Sequence, residues 1–499
     1  MNGAIQMVTQ AVTLLVVIGL VLAVVYFFVR DVTQKKHSIL RNFPVVGHLR
    51  YFFESLGEYF RQYFFLNDRE EMPFNRATRG WVYRLAKDEG GIIGFGSTYN
   101  IDEAGALIFV NAPYAVLEED RLPTPPRVIG EGYCRQPFTA RSMVNVSAMS
   151  FGAISAPAVR ALSRGAAEAG CWMDTGEGGL SPYHLEGGCD VIMQMGTAKY
   201  GMRDHAGHLS ISRIRELAAH DSIRAFEIKL SQGAKPGKGG VLPAAKVTDE
   251  IAHIRGIPAH QDSISPNRHP DIANVDQLLD QIMHLRELTG KPVGVKTAVG
   301  GRYFAEELCE AVLRRGLDSA PDFLVIDGGE GGSGAAPQAL ADHVALSISE
   351  ALPRVVDALL AAGLKDRVSV VASGKLITSA KAAWAISVGA DFVNTARGFM
   401  FSLGCIQAMR CHMNTCPVGV TTHNPRLQRG LVVEEKYLRV ANYATGMNRE
   451  IDMIAHSCGL RHARELRRHH VRIVQGPGRS EAYSTLFPYP NSERMQYAE

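Results

Sequence analysis

The sequence predicts an α/β protein: a TIM (β/α)8 barrel with an N-terminal transmembrane helix and small flanking helical segments. Three observations lead there. From Val144 onward, short apolar or β-branched runs alternate with helix-like stretches, the pattern of a parallel sheet built from β–α units. The ends of those runs carry glycines and charges, where a barrel of this kind places its ligand site. Ahead of them, Ala11 to Val29 is apolar without one charged residue, and at about 1.5 Å per residue it nearly crosses a hydrocarbon core of about 30 Å. The expected divisions are a short outer tail (1–10), the spanning helix (11–29), a juxtamembrane flanking region (30–136), the barrel (137–429) and a C-terminal helical extension and tail (430–499).

The apolar run reads as an anchor, since nothing basic precedes it and it ends in Tyr26, Phe27 and Phe28, with no small-residue cleavage site. Arg30, Lys35, Lys36 and Arg41 all follow it. The positive-inside rule therefore places a single-pass protein in the cytoplasmic membrane with its catalytic body in the cytoplasm. Next comes YFFESLGEYFRQYFF (51–65), with eight aromatics among a few charges. It reads as a helix, and the ordinary globular sequence that follows favours packing on the main domain over lying in the membrane interface.

Composition narrows the partners. The chain has 53 basic and 50 acidic residues among 499, a net charge of +3 that gives no reason to expect nucleic acid. Of its eight cysteines, Cys134, Cys171, Cys189, Cys309 and Cys458 are scattered, which is no disulfide framework and fits a reducing compartment.

Eight strands are predicted: VNVSAM (144–149), CWMDT (171–175), AFEIKL (225–230), QDSIS (261–265), PVGVKT (292–297), FLVID (323–327), VSVVAS (368–373) and DFVNTA (391–396). Ser155 with Pro157, Asn274 and Thr378 mark helix starts, and Gly170, Gly290 and Gly389 mark helix ends. The stretch from Ser181 to Arg224 is long for one connection and reads as an excursion over the mouth. The strands end in SAMSFG, DTGEGG, IKLSQGAKPGKGG, SPNRHPD, KTAVGG, DGGEGGSGAAP, ASGK and NTARG. Glycine lets backbone N–H groups approach a ligand. The last three ends thus read as a phosphate cradle, with Lys375 or Arg397 as the cation.

Beyond the last strand, GCIQAMRCHMNTCPVGV spaces Cys405, Cys411 and Cys416 as C-x5-C-x4-C. Thiolates at this density hold iron–sulfur clusters or zinc. Zinc would need a fourth ligand, His412 or His423, and prefers paired short spacings. Three cysteines with Pro417 after the last favour a three-iron cluster. Near the C-terminus, 430–459 reads as one or two helices, ELRRHHVRIV as a solvated basic face and 476–499 as irregular tail.

Through MSFGAIS, DTGEGGLSPYHLEGG, EIKLSQGAKPGKGGVLPAAKV, DGGEGGSGAAP and CHMNTCPVGV, the chain from about Pro137 to Arg429 resembles the FMN-binding synthase domain of glutamate synthase, in its stand-alone form. The resemblance implies FMN at the barrel mouth, a 3Fe-4S cluster on Cys405, Cys411 and Cys416, and an external electron donor, ferredoxin-like or a reductase subunit. It also implies reductive amination of 2-oxoglutarate, through 2-iminoglutarate, to L-glutamate. Glu177 is expected to move a proton near the imine, and Lys229 to face the anionic edge of the flavin. Lys235 and Arg255 are expected on the substrate carboxylates. Ser147, Met149, Ser150, Lys229, Lys296, Gly328, Gly329, Gly331, Gly332, Gly374, Lys375, Ala396 and Arg397 are expected around the cofactor.

Some positions depart from the family. Val241 replaces a customary glutamine, KTAVGG lacks a polar and an acidic residue, and Lys238 stands where an acid is common. They admit another 2-oxo acid or amine, or amino-acid oxidation feeding a membrane acceptor. A subunit that only relays electrons or scaffolds a membrane complex is a third reading, opposed by the presence of Glu177, Lys235 and Arg255 together. The first 130 residues contain no cysteine to head a glutaminase domain, and no G-x-G-x-x-G follows a strand. Ammonia and any nicotinamide cofactor are therefore expected from outside this chain.

Overall fold

A computed structural model of the chain describes residues 2–490 except His205 and Arg302. The end of the predicted irregular tail, 491–499, lies outside the described residues. Two compact units are present, Met1–Arg79 and Gly80–Glu499.

In the first unit, the helix Asn2–Thr33 contains the predicted span. Its segment Ile5–Thr33 is long and apolar enough to cross a membrane by length and composition. The aromatic stretch forms the helix Gly47–Phe60, which runs into a π-helical turn, Arg61–Phe65. Phe52, Phe53, Tyr59, Phe60, Tyr63, Phe64 and Phe65 are exposed along it.

In the second unit, eight parallel strands close a barrel. They are β1 (Val144–Val146), β2 (Met173–Asp174), β3 (Val191–Met195), β4 (Ile223–Lys229), β5 (Val293–Thr297), β6 (Phe323–Asp327), β7 (Ser369–Ser373) and β8 (Phe392–Thr395). Closure comes from β8 on β1, with Asn394 opposite Asn145. Helices cover the outer face of the barrel and side chains fill its interior, so the strands are buried on both faces and show little alternation.

Seven of the eight predicted strands stand in the barrel, and one does not. QDSIS supplies Ser263–Ile264, which pairs antiparallel with Val241–Leu242 as a small ribbon. Its Ser263 is buried and its Ile264 exposed, as in a ribbon with one wet face. The missing strand is β3, inside the stretch read as an excursion. Asp174 pairs with Ile192, and Gln194 with Glu227.

The predicted helix signals hold. Ser155 caps Ala156–Ala169, Asn274 caps Val275–Thr289, and Gly170 and Gly290 end those helices at φ +67° and +72°. At the N-terminal end of the barrel, the hairpin of Arg127–Ile129 and Phe138–Ala140 acts as a plug. Ile129, Phe138 and Ala140 pack in one cluster with Trp172, Phe323 and Phe392. The long helix Val433–Ser457 lies on Ala156–Ala169, where a Cβ at Gly165 would come 2.5 Å from Val440.

Two readings of the C-terminus are corrected. Arg468, in the predicted solvated basic face, is fully buried, with its guanidinium 2.5 Å from Asp357 and bonded to the Phe487 carbonyl. A charged head with two anchors is held inside instead of in water. Past 476, the strand Arg479–Ala482 completes a sheet with Val471–Gly476 and Leu107–Phe109, and a short helix, Tyr483–Leu486, follows.

Asp322, just before β6, is a buried acid that ties several parts of the scaffold together. Its carboxylate meets Arg286 at 2.9 Å, Arg367 at 3.0 Å and the Val293 N–H at 2.8 Å. Replacing it strands two buried guanidinium groups. Asp322→Ala is expected to cost about 3–5 kcal/mol, seen as a lowered midpoint in denaturant unfolding while surface substitutions leave it in place.

Candidate active site at the barrel mouth

Glu177 sits in the Gly176–Gly178 turn after β2, and Lys229 is the last residue of β4. They form an ion pair at 3.1 Å, with side chains 19% and 11% exposed. The Lys229 ammonium also donates to Gln232 Oε1 at 2.5 Å, and the Gln232 amide donates to the Gly332 carbonyl at 3.2 Å. One chain of contacts thus runs from the β2 loop to the β6 loop. Two glycines make room for the carboxylate: a Cβ at Gly240 would lie 2.5 Å from Glu177 Oε1, and one at Gly196 would lie 2.6 Å from its Cβ.

Lys235 and Arg255, both buried, complete this cluster. Arg255 ends the helix Asp249–Arg255 and donates through Nη2 to the Phe151 carbonyl at 3.2 Å. Its guanidinium lies 5.3 Å from the Tyr200 ring centre. Its Nε is buried and has no partner among the described residues. Burial by itself would raise the Glu177 carboxyl, but Lys229, Lys235 and Arg255 together hold it below the ordinary value of 4.5. Burial pushes Lys235 and Arg255 down, with Glu177 opposing in both cases. Three cations therefore face one carboxylate, an imbalance that a dianionic ligand would neutralise.

Beneath the mouth is a polar layer that the sequence reading missed. Gln194 donates to Glu227 at 2.6 Å, and Asp174 accepts from the Gly176 N–H at 2.8 Å. Burial, and then the neighbouring Glu227, push Asp174 well above the usual carboxylate range. Lys296, expected beside the cofactor, belongs to this layer. Burial opposes its charge, yet Asp327, Glu227 and Asp174 raise it on balance. The signal was present as a polar residue within each of three buried strands.

Ser147, Met149 and Ser150 are buried after β1, and Ser150 Oγ lies 3.5 Å from Arg255 Nη2, beside the Glu177 turn. The β6 glycines are tied into their own loops: Gly328 N–H donates to Ser373, Gly329 to Leu346 and Gly331 to Gly328, at 2.7–2.8 Å. Their role is close approach, since a Cβ at Gly233 would lie 1.7 Å from the Gly328 carbonyl oxygen. Asp327 fixes this corner, accepting from the Gly233 N–H and from Ser373 Oγ at 2.8 and 2.9 Å. Arg397 donates to the Glu330 carbonyl at 2.6 Å and passes 3.1 Å from where a Gly332 Cβ would be. Lys375 follows Gly374, whose φ of +132° suits glycine, and Ala396 directly precedes Arg397. Burial, then Arg397, lower Lys375, while Glu330 opposes. Lys375 and Arg397 thus bring positive charge to the rim where a phosphate was expected.

The cysteine loop docks against β1 and the β4 loop. Ser155 Oγ donates to Gly419, Asn414 to Ala245 and Lys246 to Cys411, while Lys246 also donates to Ala153 at 2.6 Å. Cys411 and Cys416 both face the buried Lys246 electrostatically. The Cys405 sulfur accepts from the Gln407 N–H at 3.4 Å, and the described residues contain no group of three His, Cys, Asp or Glu able to hold a metal ion. His423, weighed as a zinc ligand, has its Nε2 2.8 Å from the Gly152 carbonyl. The donor chemistry suits a thiolate-held cluster, but the loop as it stands does not present three sulfurs together.

A cavity of about 250 Å³ joins these parts, lined by Lys235, Lys238, Val241, Pro337 and His412. A larger one, about 500 Å³, lies between the helices Val275–Thr289 and Tyr303–Arg315, and none of the expected site residues lines it.

Fold and rim together define a TIM-barrel protein with a cationic pocket for small anions at the C-terminal ends of its strands. The family model described as "Conserved region in glutamate synthase" matches residues 108–461, and the chain belongs to that family. A glutamate synthase large subunit-like protein, YerD, from Bacillus subtilis is 40% identical over 484 residues, covering 89% of this chain and 91% of that protein. An archaeal-type glutamate synthase (NADPH) from Thermotoga maritima is 35% identical over 340 residues, covering 68% of this chain and 63% of that protein. Among solved structures, a mandelate oxidase aligns at 15% identity and a TM-score of 0.42, over 81% of this chain and 98% of that one.

The Glu177–Lys229 pair carries a pH signature. A carboxyl whose folded value lies below its unfolded one contributes stability above the unfolded value, and that stability is lost as pH falls through the folded value. Wild type and Glu177→Gln are therefore expected to differ in thermal stability at about pH 7 and to converge below about pH 4, as read by melting curves across pH.

Proposed function

We propose that this chain is an FMN- and iron–sulfur-dependent glutamate synthase that reductively aminates 2-oxoglutarate, through 2-iminoglutarate, to L-glutamate. One observation carries the substrate class: three buried cations, Lys229, Lys235 and Arg255, surround one carboxylate at the mouth, Glu177, and the Arg255 Nε lacks a partner among the described residues. A dicarboxylate would add the missing negative charge, and a guanidinium suits bidentate carboxylate binding.

In this reading Lys375 and Arg397 hold the FMN phosphate, Ser147, Met149 and Ser150 line the flavin, and Lys229 faces its anionic edge. When bound, FMN supplies hydride for the α-carbon of the imine. Arg255 and Lys235 grip the substrate carboxylates and aim that carbon. Glu177, held ionised by its cationic neighbours, accepts a proton from ammonium as it adds to the oxo acid and returns it to the substrate nitrogen as the imine becomes the product amine. Cys405, Cys411 and Cys416 would hold the 3Fe-4S cluster. Electrons come from an external donor, ferredoxin-like or a reductase subunit. The Asn2–Thr33 helix anchors the protein in the cytoplasmic membrane with the barrel in the cytoplasm.

A second reading keeps the cofactors and changes the substrate. Val241 presents an apolar side chain to the cavity that Lys235 also lines. This supports a bulkier 2-oxo acid, another amine, or amino-acid oxidation toward a membrane acceptor. The two readings separate in one experiment: anaerobically reduced enzyme is mixed with 2-oxoglutarate and ammonia, then with other oxo acids and amines. Flavin reoxidation by the first pair is the expected result. Reoxidation only by other pairs, or flavin reduction by amino acids, establishes the second, and protein without flavin absorbance sinks both.

Arg255→Leu removes a charged hydrogen-bonding group worth about 1.5–3 kcal/mol, so KM for the oxo acid is expected to rise about 10–100-fold with flavin content unchanged. Cys411→Ser is expected to stop flavin reduction by the external donor while FMN remains bound. Both are read from the flavin-to-protein ratio alongside stopped-flow reduction and reoxidation.

A further inference from the structure

The aromatic helix of the first unit has an apolar stripe that nothing covers among the described residues. Leu49, Phe52, Phe53, Leu56, Tyr59, Phe60, Tyr63 and Phe64 recur at spacings of three and four, while Arg50, Glu54, Glu58 and Arg61 take the opposite face. A globular protein buries such a stripe. Here Phe52 is 55% exposed, Phe53 63%, Phe64 73% and Phe65 74%.

The start of this helix is tied to the end of the apolar one. Asp31, near the last turn of Asn2–Thr33, is 1% exposed and accepts from the Val45 N–H at 2.9 Å, with His48 Nε2 also at 2.9 Å. The His48 ring meets Phe27 edge-on at 5.4 Å, and Tyr51 meets His37 at 5.7 Å. If Ile5–Thr33 spans a bilayer, these contacts fix the aromatic helix where hydrocarbon gives way to headgroups, the level at which Tyr, Trp and amphipathic helices settle. Between residues 34 and 66 five basic side chains, Lys35, Lys36, Arg41, Arg50 and Arg61, stand against Glu54 and Glu58. That excess favours an anionic headgroup layer.

We propose that Gly47–Phe65 is a lipid-docking element lying in the plane of the membrane, its aromatic stripe inserted at the boundary of headgroups and acyl chains. The proposal rests on the anchored reading of Asn2–Thr33. It gives the protein two membrane contacts of different kinds, one through the bilayer and one along its surface.

The test uses the full chain reconstituted into phosphatidylcholine–phosphatidylglycerol vesicles, with Phe64→Trp reporting the stripe and Leu20→Trp the anchor. The native Trp81, Trp172 and Trp384 give the background. Lipids brominated near the headgroup are expected to quench the Phe64→Trp emission several-fold more than the background, and more than lipids brominated near the bilayer centre. Leu20→Trp is expected to show the reverse depth order. Quenching of Leu20→Trp alone overturns the docking element and leaves the anchor; blue-shifted but unquenched Phe64→Trp emission then marks a protein surface as the cover. No quenching of either removes the anchor and the docking element together.

Discussion

The mouth of this barrel is organised by an imbalance of buried charge: one carboxylate, Glu177, against Lys229, Lys235 and Arg255. Ionised groups out of water are costly unless paired, so the loops must hold all four close. The glycines serve this end. Gly196 and Gly240 admit the Glu177 side chain, and Gly233 lets the β4 loop touch the Gly328 carbonyl. In the loops after β4 and β6, glycine buys proximity between loops, and the N–H groups of Gly328, Gly329 and Gly331 are consumed inside their own corner. Lys375 and Arg397 supply the positive charge at that rim.

The buried layer below works in the opposite sense. Asp174 and Glu227 place two carboxyls in the barrel interior, where burial and mutual repulsion favour a shared proton. Lys296 balances them from β5, and Asp327 and Glu177 add to its charged state. Cationic mouth and acidic interior are thus linked through two lysines, since Lys229 pairs with Glu177 and also acts on Glu227. A substitution at Lys296 would disturb both levels.

The sequence revealed most of the barrel because seven strands are β-branched or apolar runs followed by glycine and charge. It hid β3 for a physical reason. VIMQM follows a four-residue helix, Pro182–Leu185, so the spacing expected of a β–α unit is absent, and Gln194 breaks the apolar run while pairing with Glu227 inside the barrel. QDSIS passed for a strand because it is one, though on a surface ribbon. The cationic cluster was legible through its motifs. Gln232 and Asp327, which tie the loops together, sit in those motifs without any local cue to a long-range partner. The buried Arg468 was misread because its acid, Asp357, lies more than a hundred residues away.

Chemistry was easier to read than geometry in the cysteine loop. Three thiols within twelve residues announce soft-metal ligation, whereas the placement of each sulfur depends on what the loop docks against. Here the docking partner is the β4 loop, through Lys246 to Cys411 and Asn414 to Ala245. The same connection carries Lys235 and Val241 into the cavity and ends in Arg255. Cavity and cysteine loop therefore share one segment, residues 233–255, with the ribbon Val241–Leu242 pinned in its middle. Lys238 and Val241 line the cavity from that segment, His412 lines it from the cysteine loop, and Lys246 faces the sulfurs. A change on the cavity side is therefore felt next to Cys411, and this one connection couples the pocket to the cysteine loop.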